Sequence, residues 1–180
     1  MNAIEIKFGG FGGQGVILAG IIIGRAASIY DGKFATLTQS FGPEARGSAC
    51  SAQVIVSDKK ILYPYVTKPE ILMVMSQEAC NKFLPETTDD ATVIIEENLV
   101  KPVGLKPGMK VYGIPATRLA EELGRKMILN IVMVGFFTAT TKLVDRQAVQ
   151  EAVKASVPQG TEAMNLKAFE RGYQYGLSLS

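Results

Sequence analysis

Apolar and polar residues alternate at the start of the chain. Ile4, Ile6 and Phe8 take turns with Glu5 and Lys7, which predicts a short strand entering a glycine loop at 9–15. Residues 16–27 then read as a helix that is apolar on nearly every face and therefore buried. Gly20 and Gly24 lie four apart on one side of it, where small residues permit close approach to a sheet. Asp31-Gly32 marks a break, and 34–38 is a second strand. A polar turn at 40–48 leads into a strand at 49–57. Asp58-Lys59-Lys60 makes a tight turn, after which 61–63 is expected to pair back as a hairpin. A fully apolar strand at 71–75 is followed by a helix at 77–84, and 92–95 and 110–114 read as further strands. Helices at 126–142, 146–156 and 161–177 are expected to close the chain.

Continuous apolar strands alternating with helices imply a mostly parallel sheet covered on both faces. The expected fold is α/β: a three-layer Rossmann-like domain with an antiparallel hairpin addition at 49–63. No repeat, low-complexity tract or linker divides the chain, so 1–180 reads as a single domain.

Composition narrows the chemistry. The 180 residues are 47% hydrophobic and carry a net charge of +2, too balanced for an electrostatic nucleic-acid binder. The histidine count is 0, which removes Ser-His-Asp and Cys-His nucleophile systems, zinc sites with histidine ligands and the usual neutral-pH proton shuttle. Two cysteines, Cys50 and Cys80, suit a reducing cytoplasm and are too few for a four-thiolate iron–sulfur cluster within one chain. No signal peptide is evident at the N-terminus, and the apolar stretches at 16–23 and 128–137 fall short of the ~20 residues of a membrane span. A cytoplasmic protein without membrane or nucleic-acid partners is expected.

Gly10-Phe11-Gly12-Gly13-Gln14-Gly15 satisfies G-x-G-x-x-G between a strand and a helix. Glycine permits positive φ and lets peptide N–H groups approach an anion, while the helix start adds a favourable dipole. A tight turn with no ligand is the alternative. A dinucleotide site also wants a carboxylate at the tip of the second strand, and that tip reads Thr38-Gln39-Ser40. Asp31 has about the right sequence distance but precedes the strand. A different phosphate-bearing ligand, or a protein partner, stays open.

The turn Phe41-Gly42-Pro43-Glu44-Ala45-Arg46-Gly47-Ser48 should lie at the same carboxyl edge of the sheet as the glycine loop. Gly42 and Gly47 allow unusual dihedrals, Glu44 and Arg46 are its charges, and Arg46 can fork onto a carboxylate or phosphate. On spacing alone it reads first as a surface turn with solvated charges.

The run Phe8-Gly9-Gly10-Phe11-Gly12-Gly13-Gln14-Gly15-Val16, then Ala19-Gly20, then Thr38-Gln39-Ser40-Phe41-Gly42-Pro43-Glu44-Ala45-Arg46-Gly47 resembles the gamma subunit of 2-oxoacid:ferredoxin (acceptor) oxidoreductases. Ser57-Asp58, Asn130-Ile131-Val132-Met133-Val134-Gly135 and the stretch 165–172 resemble it too, so the likeness spans nearly the whole chain. The family often has tyrosine at the place of Phe41 and glycine at that of Ser48, which excludes a tyrosine-hydroxyl role at 41. The resemblance implies a complex that oxidatively decarboxylates a 2-oxoacid to an acyl-coenzyme A and reduces ferredoxin. Thiamine diphosphate, Mg and iron–sulfur clusters would carry that chemistry. The partners implied are alpha, beta and ferredoxin-like subunits, with ferredoxin as electron acceptor. This chain has no GDG…NN signature and is expected to bind no cofactor alone; it reads as an accessory subunit without catalytic residues. A contribution to coenzyme A binding would fall to Gly10, Gly12, Gly13, Gln14, Gly15, Gly42, Glu44, Arg46 and Gly47. A short separate chain points towards 2-oxoglutarate, with pyruvate and branched-chain oxoacids as alternatives.

Other candidates read as structural. Cys50 and Cys80 suit buried small hydrophobes, and Glu96-Glu97 a solvated strand end. Tyr63, Tyr65, Tyr173 and Tyr175 fit a partner surface or the core equally. Met127, Met133, Phe136 and Phe137 fit a helix core. Two further functions compete with the accessory subunit: an independent nucleotide-binding oxidoreductase and a non-catalytic regulatory binding module.

Overall fold

The computed structural model describes residues 3–41 and 49–179. Its first strand, β1 (Ile4–Phe11), runs through Gly9 and Gly10, which pair with Ser51 and Cys50 of β3 (Ala49–Ser57). The glycine loop is therefore shorter than expected, confined to residues 12–15, because two of its glycines complete the β1–β3 ladder. α1 (Val16–Arg25) follows and winds on through a wider turn, Ala26–Tyr30. β2 (Phe34–Ser40), β4 (Ile71–Val74), β5 (Thr92–Glu96) and β6 (Lys110–Ile114) complete one six-stranded sheet in the order β2-β3-β1-β4-β5-β6. Only β3 runs against the others: β2 and β1 both pair with it antiparallel, while β1-β4, β4-β5 and β5-β6 are parallel.

The antiparallel element is thus the β2–β3 pair, and no strand forms at 61–63. β1 and β2 take both edges of β3, so no backbone donor row is left for a third partner. Leu62, Tyr63 and Tyr65 consequently sit outside at 88%, 62% and 57% exposure.

Period-two alternation sends the strand side chains into two cores. Ile6, Phe8, Val54, Met73 and Ile94 face the larger one, beneath α1 and the C-terminal helices. Leu72, Val74, Val93 and Ile95 face the smaller, beneath α2 (Gln77–Phe83), whose start is capped by Ser76 Oγ accepting from Ala79 N. Lys7 points to that second face, where its ammonium pairs with Glu86 and lies 4.3 Å from the Phe83 ring centroid.

α3 (Ala116–Glu122), absent from the sequence reading, covers the larger core before α4 (Leu129–Thr141), α5 (Arg146–Ser156) and α6 (Glu162–Leu177). α4 is buried along nearly its whole length, which accounts for Met133, Phe136 and Phe137; Met127, just before it, is 77% exposed. It meets α6 at glycines. A Cβ at Gly135 would strike the Phe169 carbonyl, and one at Gly172 the Val132 carbonyl. Gly20 likewise lies on the sheet, a Cβ there falling 2.6 Å from Ala52 Cβ, whereas a Cβ at Gly24 would meet no atom of the described residues within 4 Å.

Candidate functional site

The carboxyl ends of β1, β4 and β5 share one edge of the sheet, and the glycine turn sits on it. Gln14 holds the turn shut. Its Oε1 accepts from Phe11 N at 2.7 Å and its Nε2 donates to Met75 O at 2.9 Å, joining the turn to the end of β4. Gly10 is small to make room for that amide: a Cβ would fall 2.6 Å from Gln14 Oε1. Asn130, at the start of α4, donates to Gly15 O at 3.2 Å. Gln14 and Gly10 therefore build the turn, and both ends of the Gln14 amide are already engaged.

Within the turn, Gly13 (φ 94°) and Gly15 (φ 74°) have left-handed backbone. Gly12 and Gly13 are exposed, and no atom among the described residues lies within 4 Å of a Cβ built at Gly13. Gly15 precedes α1 without a side-chain cap, so the first-turn N–H groups of the helix keep their donor capacity. Exposed glycine backbone and an uncapped helix start make a cradle that fits an anionic group.

Gly42, Glu44, Arg46 and Gly47 lie outside the described residues. The residues flanking them are at the same edge: Ala49 pairs with Phe11, and Ser40 with Ser51. Phe41 is 69% exposed there. The tip of β2 is separated from β1 by β3, so the adjacent second strand of a dinucleotide-binding sheet is not formed.

A cavity of about 520 Å³ opens beside the turn. Phe11, Gly13 and Gln14 of the turn line it together with Met75, Ser76 and Gln77 after β4 and with Leu99, Thr117, Lys126, Met127 and Leu129. Next to Thr117, Glu96, the last residue of β5, is fully buried, contrary to the solvated reading. Its Oε1 takes long hydrogen bonds from Thr117 N (3.4 Å) and Asn98 Nδ2 (3.5 Å). Among the described residues neither Glu96 Oε2 nor Thr117 Oγ1 has a partner. Burial pushes the Glu96 carboxyl above its ordinary pKa, opposed by the N–H groups of Thr117, Leu99 and Asn98. The sequence signal was the apolar run Val93-Ile94-Ile95, which continues as strand for one residue more. Glu97 next to it is exposed.

Cys50 and Cys80 are buried in different cores, on opposite faces of the sheet, and burial raises both thiol pKa values. They cannot meet at one metal, and no group of three potential ligands gathers among the described residues. The residues present do not fit an iron–sulfur cluster. Tyr173 and Tyr175 pack half-buried against the larger core, while Tyr63 and Tyr65 form an exposed edge-to-face pair with centroids 5.4 Å apart. No helix among the described residues is long and apolar enough to cross a membrane.

Residues 5–175 match the family described as pyruvate ferredoxin/flavodoxin oxidoreductase. The 2-oxoglutarate synthase subunit KorC of Methanocaldococcus jannaschii is 45% identical over 177 residues, covering 97% of this chain and 95% of that one. Among solved structures, the keto/oxoacid ferredoxin oxidoreductase gamma subunit of Geobacter sulfurreducens PCA superposes with a TM-score of 0.89 at 35% identity, covering 99% and 98% of the two chains. A 2-oxoglutarate:ferredoxin oxidoreductase from Magnetococcus marinus, solved with 2-oxoglutarate, coenzyme A and succinyl-CoA bound, shares the fold at 20% identity and a TM-score of 0.89. All of this chain corresponds to 32% of that longer one.

Proposed function

The chain belongs to the pyruvate ferredoxin/flavodoxin oxidoreductase family, and from that premise we propose that it is the gamma-type accessory subunit of a cytoplasmic 2-oxoglutarate:ferredoxin oxidoreductase. The observation that carries the reading is the 45% identity to a 2-oxoglutarate synthase subunit over nearly the full length of both chains. The complex oxidatively decarboxylates the 2-oxoacid, passes the acyl group to coenzyme A and delivers electrons to ferredoxin. Thiamine diphosphate with Mg and the iron–sulfur clusters belong to the alpha, beta and ferredoxin-like partners; the chemistry they supply is decarboxylation and electron transfer.

This chain's own part is at the carboxyl edge of the sheet. Gly12, Gly13 and Gly15 offer backbone donors, and α1 points its positive end the same way. Gln14 and Gly10 keep the turn in that shape. Together with Gly42, Glu44, Arg46 and Gly47, these residues are assigned the anionic part of coenzyme A and the closing of the acyl-transfer site of the assembled complex. Arg46 supplies a forked cation that lysine does not reproduce.

Co-expression with the thiamine-enzyme and ferredoxin-like subunits tests the assignment. The chain is expected to co-purify, and omitting it to abolish 2-oxoglutarate-dependent, coenzyme A-dependent dye reduction. A chain that stays apart from those subunits, or a complex fully active without it, overturns the reading; preference for pyruvate would correct the substrate alone. Arg46→Ala in the complex should raise the coenzyme A requirement or weaken retention, with poor rescue by Arg46→Lys. Unchanged behaviour in both assays would remove Arg46 from the site.

A further inference from the structure

The sheet ends on two edge strands of opposite character. β6 is guarded by charge. It opens on the exposed Lys110, and the Glu97 carboxylate lies against Gly113, 3.1 Å from where a Cβ would stand. Charges on an edge keep one sheet from pairing with another. β2 has no such guard. Its seven residues, Phe34-Ala35-Thr36-Leu37-Thr38-Gln39-Ser40, include no charge and no proline, and none of them is buried. The nearest charge before it, Lys33, is held by Asp31 and the Leu143 carbonyl. β3 takes one side of the β2 backbone, and among the described residues no strand takes the other. A row of N–H and C=O groups therefore faces outward.

The flanks of this edge are apolar on both faces of the sheet. On the α1 face a groove of about 340 Å³ runs beside it, with Ile21 and Gly24 on one wall and Ala35 and Leu37 on the other. On the opposite face the Thr36 hydroxyl donates to Pro64 O at 3.4 Å, which lays the segment bearing the exposed Leu62, Tyr63 and Tyr65 against the strand. The exposed Ile29 and Tyr30 belong to the turn that packs on β2, and Phe34 is exposed at its start. A free strand edge recognises extended backbone, and the side chains decide whose. We propose that β2 pairs antiparallel with β2 of a second copy of this chain, joining two sheets into one across a twofold axis at Leu37. Full overlap of the seven residues sets the register. Leu37 meets its own counterpart, Thr36 meets Thr38, Ala35 meets Gln39 and Phe34 meets Ser40. A twofold contact must be complementary to itself, and every one of these pairs is uncharged, so no like charges oppose. The groove beside Gly24 leaves room for the second copy's side chains, and the apolar flanks leave water as the pair forms.

Sedimentation velocity of the full chain over a concentration series, with hydrogen exchange of the β2 amides at its two ends, tests the pairing. A dimer is expected, and the outward amides of β2 should exchange more slowly in it. Phe34 and Ser40 are both exposed, so charges placed there leave the fold standing by circular dichroism. Phe34→Lys with Ser40→Lys sets like charges opposite at both ends of the ladder and should raise the dissociation constant about tenfold or more. Phe34→Glu with Ser40→Lys sets opposite charges at the same places and should recover most of the affinity. Directly opposed residues lie ~4.5–5.5 Å apart between Cα atoms, within disulfide reach. A mixture of Phe34→Cys copies and Ser40→Cys copies should therefore form a linked dimer under mild oxidation, and neither variant alone should. A chain that is monomeric at every concentration, a dimer indifferent to both charge pairs, or a mixture that gives no linked dimer overturns the proposal. So does slowed exchange along β2 that appears only when the other subunits are added, because the edge then belongs to a strand of a different chain.

Discussion

Gly13 and Gly15 have the same left-handed backbone but different surroundings. Above Gly13 there is open space, so a side chain there meets backbone strain alone, while a Cβ at Gly15 would also collide with the Asn130 amide. Gly13→Val should cost ~1–3 kcal/mol of stability and Gly13→Asn less, because asparagine tolerates the region. Gly15→Ala should cost more than Gly13→Ala, since Asn130 must leave the Gly15 carbonyl it holds. Urea unfolding midpoints rank the four variants, and a Gly13→Ala cost equal to that of Gly15→Ala would contradict the packing difference. Glu96 makes a prediction with a sign. Its folded pKa is raised by burial, so the native state holds its proton to higher pH than the unfolded chain does. Its contribution to stability then falls as pH rises from the ordinary carboxylate range through the folded pKa. Glu96→Gln cannot ionise. The difference in unfolding free energy should therefore shift in the variant's favour as pH rises above the ordinary carboxylate range of about 4. Parallel stability curves for the two proteins would show that Glu96 titrates normally.

At the scale of elements, helical glycines of similar character in the sequence do different work. Asn130 to Gly135 and the stretch 165–172 carry part of the family likeness, and their role is packing: Gly135 and Gly172 let α4 and α6 touch backbone to backbone. Asn165 secures the start of α6 by donating to Thr161 O at 2.9 Å. Gly135→Ala or Gly172→Ala should cost ~3 kcal/mol or more, as neither helix can retreat from a buried core without opening it. Gly24→Ala in α1 should do the opposite and stabilise by about 0.5–1 kcal/mol, because the site is open and alanine is the better helix former. Thermal unfolding of the three variants separates them. A destabilising Gly24→Ala would contradict the open space above that residue. The elements missed in the sequence have physical reasons too. α3 is a seven-residue helix with no capping side chain at its start, too short to carry a periodic signal. The expected strand at 61–63 lost to β2, whose seven residues offered β3 a longer ladder.

For the molecule as a whole, the largest exposed apolar side chains gather in separate places. Leu62, Tyr63 and Tyr65 stand off the β3 face, and Val103 and Met127 are 80% and 77% exposed. Tyrosine and methionine on a surface suit an interface more than solvent. The isolated chain should self-associate at high concentration in sedimentation velocity. Leu62→Ser with Tyr63→Ser should reduce that association without lowering the unfolding midpoint, since neither side chain is in the core. A wild-type chain that stays monomeric throughout would remove this surface as a docking face.

What the sequence determined alone was everything governed by local pattern. The strand–glycine–helix unit, the doubly apolar strands β4 and β5, the reach of α5 and the family likeness are all written in neighbouring residues, because period and turn chemistry act over a few positions. The tertiary structure decided what depends on distant partners. Which strand pairs with β3, whether Glu96 meets water or stays enclosed behind Thr117, and that Gln14 turns back to Met75 rather than out to a ligand are all settled by elements far away in the chain. The physical reason is that backbone pairing and desolvation are properties of assembled surfaces, and a residue's burial is set by what folds over it.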